Sequence, residues 1–254
     1  MTASDFTALV MVANDEYWIW PALQAPLQIL PRVIVAVNNC TDNTLHIVRS
    51  LQAQYPNLEL WDRGTLNPAQ LGALRVEMSH AVQTKYGITI DGDEFYSLDT
   101  LRKIVAIDLP PDKQTGFITI FELGDGLSVV GAYPAPHVLR RGVTYQHDFP
   151  WEHPATFGQP ETYYYFPPTL YCWHFHELQR SRHDATTYLR LNIRRHLTPL
   201  YQPFYLRWLP DFTPGAYPNP YWQEAPEPPV TWQEDMVTAI CQSPIFAPVF
   251  EKGQ

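Results

Sequence analysis

The 254-residue chain is short of cysteine, of basic residues and of long apolar runs, and each shortage removes a class of protein. Its three cysteines, Cys40, Cys172 and Cys241, stand far apart, are odd in number and form no CxxC pair. Neither a disulfide framework nor a zinc knuckle is indicated, and the chain reads as a reduced, cytoplasmic protein. Lysine and arginine total 17 against 26 acids, and the net charge of −9 argues against broad nucleic-acid or anionic-membrane binding. No segment reaches the roughly 20 apolar residues of a membrane span. The opening, MTASDFTALVMVAND, lacks the basic start and apolar length of a signal peptide.

What the chain has is apolar mass, 45% of residues, enough for a sizeable core. It also has proline and aromatics late in the sequence. From residue 199 it reads PLYQPFYLRWLPDFTPGAYPNPYWQEAPEPPVTW. Proline at this density forbids a long helix, and the aromatic content is too high for ordinary disorder. The expectation is an irregular extension over 199–254, packed through tyrosine and tryptophan onto a main domain over 1–198.

The front of that domain alternates strand and helix patterns. Residues 6–13, 32–37, 58–61 and 86–90 read as strands, the second rich in β-branched side chains. Between them, Leu45, Val48 and Leu51, then Leu71, Leu74, Met78 and Val82, recur at helical spacing. The apolar stretch 17–29 is interrupted by Pro21 and Pro26, so its helix is expected to be short or broken. Residues 98–107 form another helix, stopped by Pro110 and Pro111. Strands separated by helices predict βαβ crossovers and a mainly parallel sheet. The rear half is mixed: a hairpin over 116–132 around Gly124-Asp125-Gly126, strands at 137–141, 144–148 and 169–175, and a helix over 177–197.

One stretch carries chemistry. In ITIDGDEF, Asp91, Asp93 and Glu94 crowd the end of the fourth strand. Alternate residues of an extended segment face one side, so Asp91 and Asp93 converge. Two carboxylates around a glycine suit a hard divalent ion such as Mg²⁺ or Mn²⁺, which completes its shell with phosphate and water. The plainer alternative is a helix N-terminus, where acids are favoured.

The order of segments resembles the family 2 glycosyltransferases and their GT-A relatives. The landmarks are ANDE (13–16) after strand one, VNNCTDNT (37–44) after strand two, QLGALRVEM (70–78) and the acids after ITI. They cover residues 7–108. The resemblance implies a nucleotide-sugar-binding half over 1–108 and an acceptor and metal half over 109–198. It implies that Asp93 touches the metal and Asp91 the donor ribose or the metal. Asn14, Glu16, Asn38 and Asn39 would line the base and ribose pocket, and Arg75 would lie near the diphosphate. The family has Asp where Asn38 or Asn39 stands, so the nucleotide stays open; simple turn chemistry accounts for both asparagines equally well.

Two further clusters bear on the rear half. His174 and His176 in YCWHFHEL face one way if extended, and the resemblance makes either a further metal ligand, which favours Mn²⁺. In QHDFPWEHP, Glu152 beside Trp151 is the first candidate for the catalytic base of an inverting reaction, with Asp148 second. The five arginines between 180 and 195 read as a solvated helix face or as a clamp for a lipid- or sugar-phosphate acceptor.

The sequence therefore points to a metal-dependent hexosyltransferase that moves a sugar from a nucleotide diphosphate to a hydroxyl acceptor. Three rivals stand beside it. One is a nucleotidyltransferase that makes nucleotide-sugars, although its usual glycine-rich basic loop is replaced here by ANDEYWIW. The others are a non-catalytic carbohydrate-binding protein on the same fold and a zinc hydrolase built on the HxH and DGD runs.

Overall fold

The computed structural model describes residues 2–123, 129–145, 154–156 and 158–175. The hairpin tip at Gly124–Gly126, Asp148, Glu152, His176, the arginine-rich segment and everything from 199 onward lie outside the described residues.

The front half is α/β as expected. Strands β1 (Phe6–Val12), β2 (Val33–Val37), β3 (Leu58–Asp62) and β4 (Tyr86–Asp91) are parallel neighbours in the order β3-β2-β1-β4. β1, β2 and β4 are buried on both faces, which is why they are largely apolar rather than alternating, whereas the edge strand β3, LELWD, is only partly buried. Val10, Val35 and Ile88 enter one core with Leu23 of α1 (Ile19–Ile29), Val48 of α2 (Thr44–Gln54) and Leu101 of α4 (Leu98–Ala106). Leu9, Ile34 and Ala36 point to the opposite face, against Leu74 and Met78 of α3 (Pro68–His80). The start of α3 is fixed locally: Asn67 and Gln70 form a reciprocal capping box, and Pro68 sits in the first turn.

The segment at 17–29 differs from expectation. α1 runs unbroken for 11 residues with Pro26 inside it. An interior proline costs roughly 3 kcal/mol, but all nine residues from Ile19 to Leu27 are buried between the sheet and its neighbours. Burial at ~25 cal/mol per Å² of apolar surface outweighs the lost bond. Pro21 falls in the first turn, where no intrahelical donor is missed.

The rear half continues the same sheet with antiparallel members. β5 (Glu94–Phe95), β6 (Thr115–Leu123), β7 (Val129–Arg140), β8 (Tyr163–Tyr165) and β9 (Tyr171–His174) extend the order to β4-β7-β6-β9-β5, with β8 against β6. The strands expected separately at 127–132 and 137–141 are one, β7. Pro134 and Pro136 do not interrupt it because β4 pairs only with Val138, Leu139 and Arg140. The prolines lie beyond the stretch of β4 that pairs, Tyr86 to Ile88, so on that side β7 needs no ladder donor there. At 144–148 the described residues show only a bridge from Tyr145 to Pro154. The two-residue β5 and the Tyr163–Tyr165 strand escape sequence reading, being too short to show a period. No helix among the described residues is long and apolar enough to cross a membrane.

Candidate active site

The carboxyl ends of β1, β2 and β4 lie at one edge of the sheet, with Met11 level with Asp91 and Val12 level with Val37. In open parallel sheets this edge is where ligands bind. Here the chain leaves β4 at Asp91 and turns into β5 at Glu94. The turn is held from both sides: the Asp91 amide donates to Glu94 Oε2 at 2.9 Å, and the Phe175 amide donates to the Asp93 carbonyl at 2.8 Å. Gly92 is pressed against the loop after β1. A Cβ there would stand 2.6 Å from both Asp15 Oδ2 and Val12 Cγ2, so only glycine lets the two loops touch.

Each of the three acids faces its own nitrogen partner. Arg75, on α3 and 4% exposed, donates to Asp91 Oδ1 at 2.5 Å. His174 Nε2 stands 3.5 Å from Asp93 Oδ1, and His137 Nε2 stands 3.5 Å from Glu94 Oε1. These pairings explain how three carboxylates share four residues. Burial pushes the Asp91 carboxyl up, but the Arg75 guanidinium outweighs it and holds the group below its ordinary range. Burial wins at Glu94, which is raised. Asp91 alone keeps a side chain 46% exposed, whereas those of Asp93 and Glu94 are 4% exposed each.

His174 is anchored from behind. Its Nδ1 donates to Glu122 Oε1 at 2.9 Å, and Tyr133 donates its hydroxyl to the same oxygen at 2.7 Å. Burial would lower the imidazole, yet the Glu122 and Asp93 charges raise it well above its usual value. A histidine tied through Nδ1 to a carboxylate, with Nε2 turned outward, is how imidazoles are oriented toward metal ions. Two donors about 2.1 Å from one ion stand roughly 3.0–3.4 Å apart. The 3.5 Å between Asp93 and His174 fits that spacing, so the donor set suits the divalent ion expected from the sequence.

The asparagines and Glu16 shape the loops beside this turn. Asn14 and Asn39 both adopt positive φ, 54° and 49°. Asn14 Oδ1 accepts from the Thr41 amide at 2.7 Å, and Glu16 Oε2 accepts from the Asn43 amide at 3.3 Å. Asn38 Nδ2 donates to the Val12 carbonyl at 3.2 Å. Asn39 clasps Leu66, accepting from its amide at 2.8 Å and donating to its carbonyl at 3.0 Å. Asn39→Ala is therefore expected to cost about 2 kcal/mol, from two lost hydrogen bonds and a left-handed backbone without asparagine; chemical denaturation measures it. Cys40, in the same loop, has its thiol pushed up to about 12, chiefly by burial.

Among the expected residues, Arg75 meets Asp91 and Asp93 meets His174, while Asn14, Glu16, Asn38 and Asn39 occupy the neighbouring loops. Sequence reading missed Asp15, Glu122, His137 and Cys172. Glu122 and His137 carried a usable signal, a charged or titratable residue inside an apolar strand run (FITIFEL and PHVL). Asp15 carried none beyond its neighbours. The groove at Thr2, Gln28, Ile29 and Arg102 lies at the other end of β1, away from the acids.

No protein-family model and no curated protein sequence matches the chain. Among solved structures, S. aureus TarS, a GT-A glycosyltransferase, is similar at TM-score 0.50 and 15% identity over 80% of this chain and 41% of TarS. The chain thus spans less than half the length of that relative. The fragment TarS 1–349 gives TM-score 0.47 and 15% identity over 82% of this chain and 79% of the fragment. The 4-diphosphocytidyl-2C-methyl-D-erythritol synthase of Anaerococcus prevotii gives TM-score 0.35 and 12% identity over 55% and 71%. At such identities the likeness is one of fold. The chain has an α/β, GT-A-type, Rossmann-like fold, a mostly parallel sheet with antiparallel members, as its sequence suggested.

Proposed function

We propose that the protein is a metal-dependent glycosyltransferase that moves a hexose from a nucleotide-diphosphate sugar to a hydroxyl acceptor, with inversion. The observation that carries this reading is the Asp93–His174 pair, 3.5 Å apart and fixed at the carboxyl edge of the sheet. Asp93 and His174 would hold Mn²⁺ or Mg²⁺, with Asp91 and His176 as further candidates. A bound ion supplies Lewis-acid stabilisation of the negative charge on the departing diphosphate. Arg75 fixes Asp91 in its ionised form beside the donor. Glu122 holds the His174 ring in one tautomer. The loops of Asn14, Glu16, Asn38 and Asn39 wall the base and ribose site. Glu152, with Asp148 second, is the proposed base for the acceptor hydroxyl, a saccharide or a lipid- or sugar-phosphate. A cytoplasmic location belongs to the same reading.

A thermal-shift panel of nucleoside diphosphates, with and without Mn²⁺, tests it. TarS has been solved with UDP-GlcNAc, so uridine diphosphate is included. One nucleotide is expected to raise the melting temperature only when metal is present, and the matching nucleotide-sugar is expected to release its nucleoside diphosphate on incubation, with water taking the sugar. Saturable binding without release would instead mean a carbohydrate-binding protein, and no binding at all would end the reading.

A further inference from the structure

Behind the acids lies a second donor set that the proposed reaction does not use. Glu94 on β5, His137 on β7 and Cys172 on β9 each present one ligand atom, and the three atoms lie within 4.8 Å of one another. Their residues are 3%, 6% and 0% exposed. We infer that Glu94, His137 and Cys172 form a binding site for a thiophilic divalent cation, zinc by its chemistry, which ties the three rear strands together.

The geometry at His137 is the starting point. Nδ1 lies 2.8 Å from the Thr89 carbonyl, an oxygen that can only accept, so Nδ1 carries the proton. Thr89 returns the bond, its hydroxyl donating to the His137 carbonyl at 3.2 Å. The ring is thereby locked with Nε2 toward Glu94. In neutral imidazole that nitrogen offers a lone pair to the Glu94 carboxyl, and the two acceptors repel unless a proton or a metal ion sits between them. At 3.5 Å the gap is too wide for a charge-assisted hydrogen bond, which runs about 2.7–2.9 Å. It matches the roughly 3.4 Å between nitrogen and oxygen donors on a tetrahedral zinc ion.

The third donor selects the metal. A thiolate with an imidazole suits zinc rather than magnesium or calcium. Without an ion, burial and the Glu94 charge raise the Cys172 thiol well above its ordinary value. Binding displaces that proton to solvent and leaves a thiolate on the ion. Closing the set asks for a contraction on the order of 1 Å at its widest separation. The back-bonding of His137 to a main-chain carbonyl is the outer support that metal-bound histidines carry. The site stands independently of the glycosyltransferase reading, since neither Asp93 nor His174 belongs to it.

The test uses the full chain and the metal alone. Protein purified without added metal is expected to hold a stoichiometric zinc ion. Chelator treatment is expected to lower the melting temperature and zinc to restore it. Cobalt substitution is expected to give a thiolate-to-metal charge-transfer band in the near ultraviolet, absent in Cys172→Ser and retained in Cys40→Ser and in Asp93→Asn. If Cys172→Ser does not fold, the wild-type cobalt spectrum decides by itself. Cobalt bound without the thiolate band, or a melting temperature indifferent to zinc, would overturn the site; a Glu94–His137 ion pair would then be the whole explanation of the geometry.

Discussion

Replacing Asp93 by alanine is expected to abolish the joint stabilisation by Mn²⁺ and a nucleoside diphosphate and to lower turnover roughly 100- to 1,000-fold. Asp93 is 3% exposed, and its Oδ1 faces a histidine whose far nitrogen is already committed to Glu122. Removal takes away one of the two fixed donors of the candidate ion site and leaves His174 with Glu122 behind it. The expected signature is specific: metal-free melting changes little compared with the loss of metal-and-nucleotide synergy. A purely structural role for Asp93 predicts the reverse, with lower stability in every buffer and unchanged turnover. Asp93→Asn separates the two further, since it keeps the shape and removes the charge. Unchanged turnover in both variants would refute the functional reading.

Gly92→Ala is the second large effect. The added methyl meets Asp15 Oδ2 and Val12 Cγ2 at 2.6 Å, inside any tolerated contact. Asp15 is 2% exposed and Val12 2% exposed, so neither has room to retreat, and the turn itself must lift away from β1. Overpacking of this kind costs about 1–3 kcal/mol. A displacement of order 1 Å at a reacting centre lowers rate about 100-fold. The variant is therefore expected to fold, to melt a few degrees lower, and to lose most of its turnover. Full activity in a folded Gly92→Ala protein would mean that the contact between the β1 loop and the acid turn does not matter to the reaction.

The front of the fold was legible because its signals are local. Residues 33–37, VIVAV, are an uninterrupted apolar run of strand length, and 86–90, YGITI, is broken only by a glycine and a threonine. The turn at the acids was legible for the same reason: charge following a buried strand has few explanations. The sequence misled where tertiary contacts overrule local preference. Pro26 reads as a breaker, but a helix buried along nearly its whole length tolerates it. The strands expected separately at 127–132 and 137–141 are one, because Pro134 and Pro136 between them fall where β7 does not pair with β4. The counter-charges were least legible. Arg75 is 16 residues from Asp91, and 52 residues separate Glu122 from His174. Nothing local shows which distant nitrogen will face which acid.

The placement of β4 has a consequence for synthesis. Its two neighbours are β1, complete by residue 12, and β7, whose pairing residues are 138–140. A ribosome that has just released residue 91 has made the strand YGITID with one flank filled and the other bare for the next fifty or so residues, several seconds at ordinary elongation rates. During that interval the growing polypeptide exposes an unpaired edge whose only charge is Asp91 at its end, the kind that recruits other chains. Yield in a heterologous host is thus expected to rise when the Val138 segment arrives sooner or when a holdase chaperone covers the edge, without any change to the finished molecule.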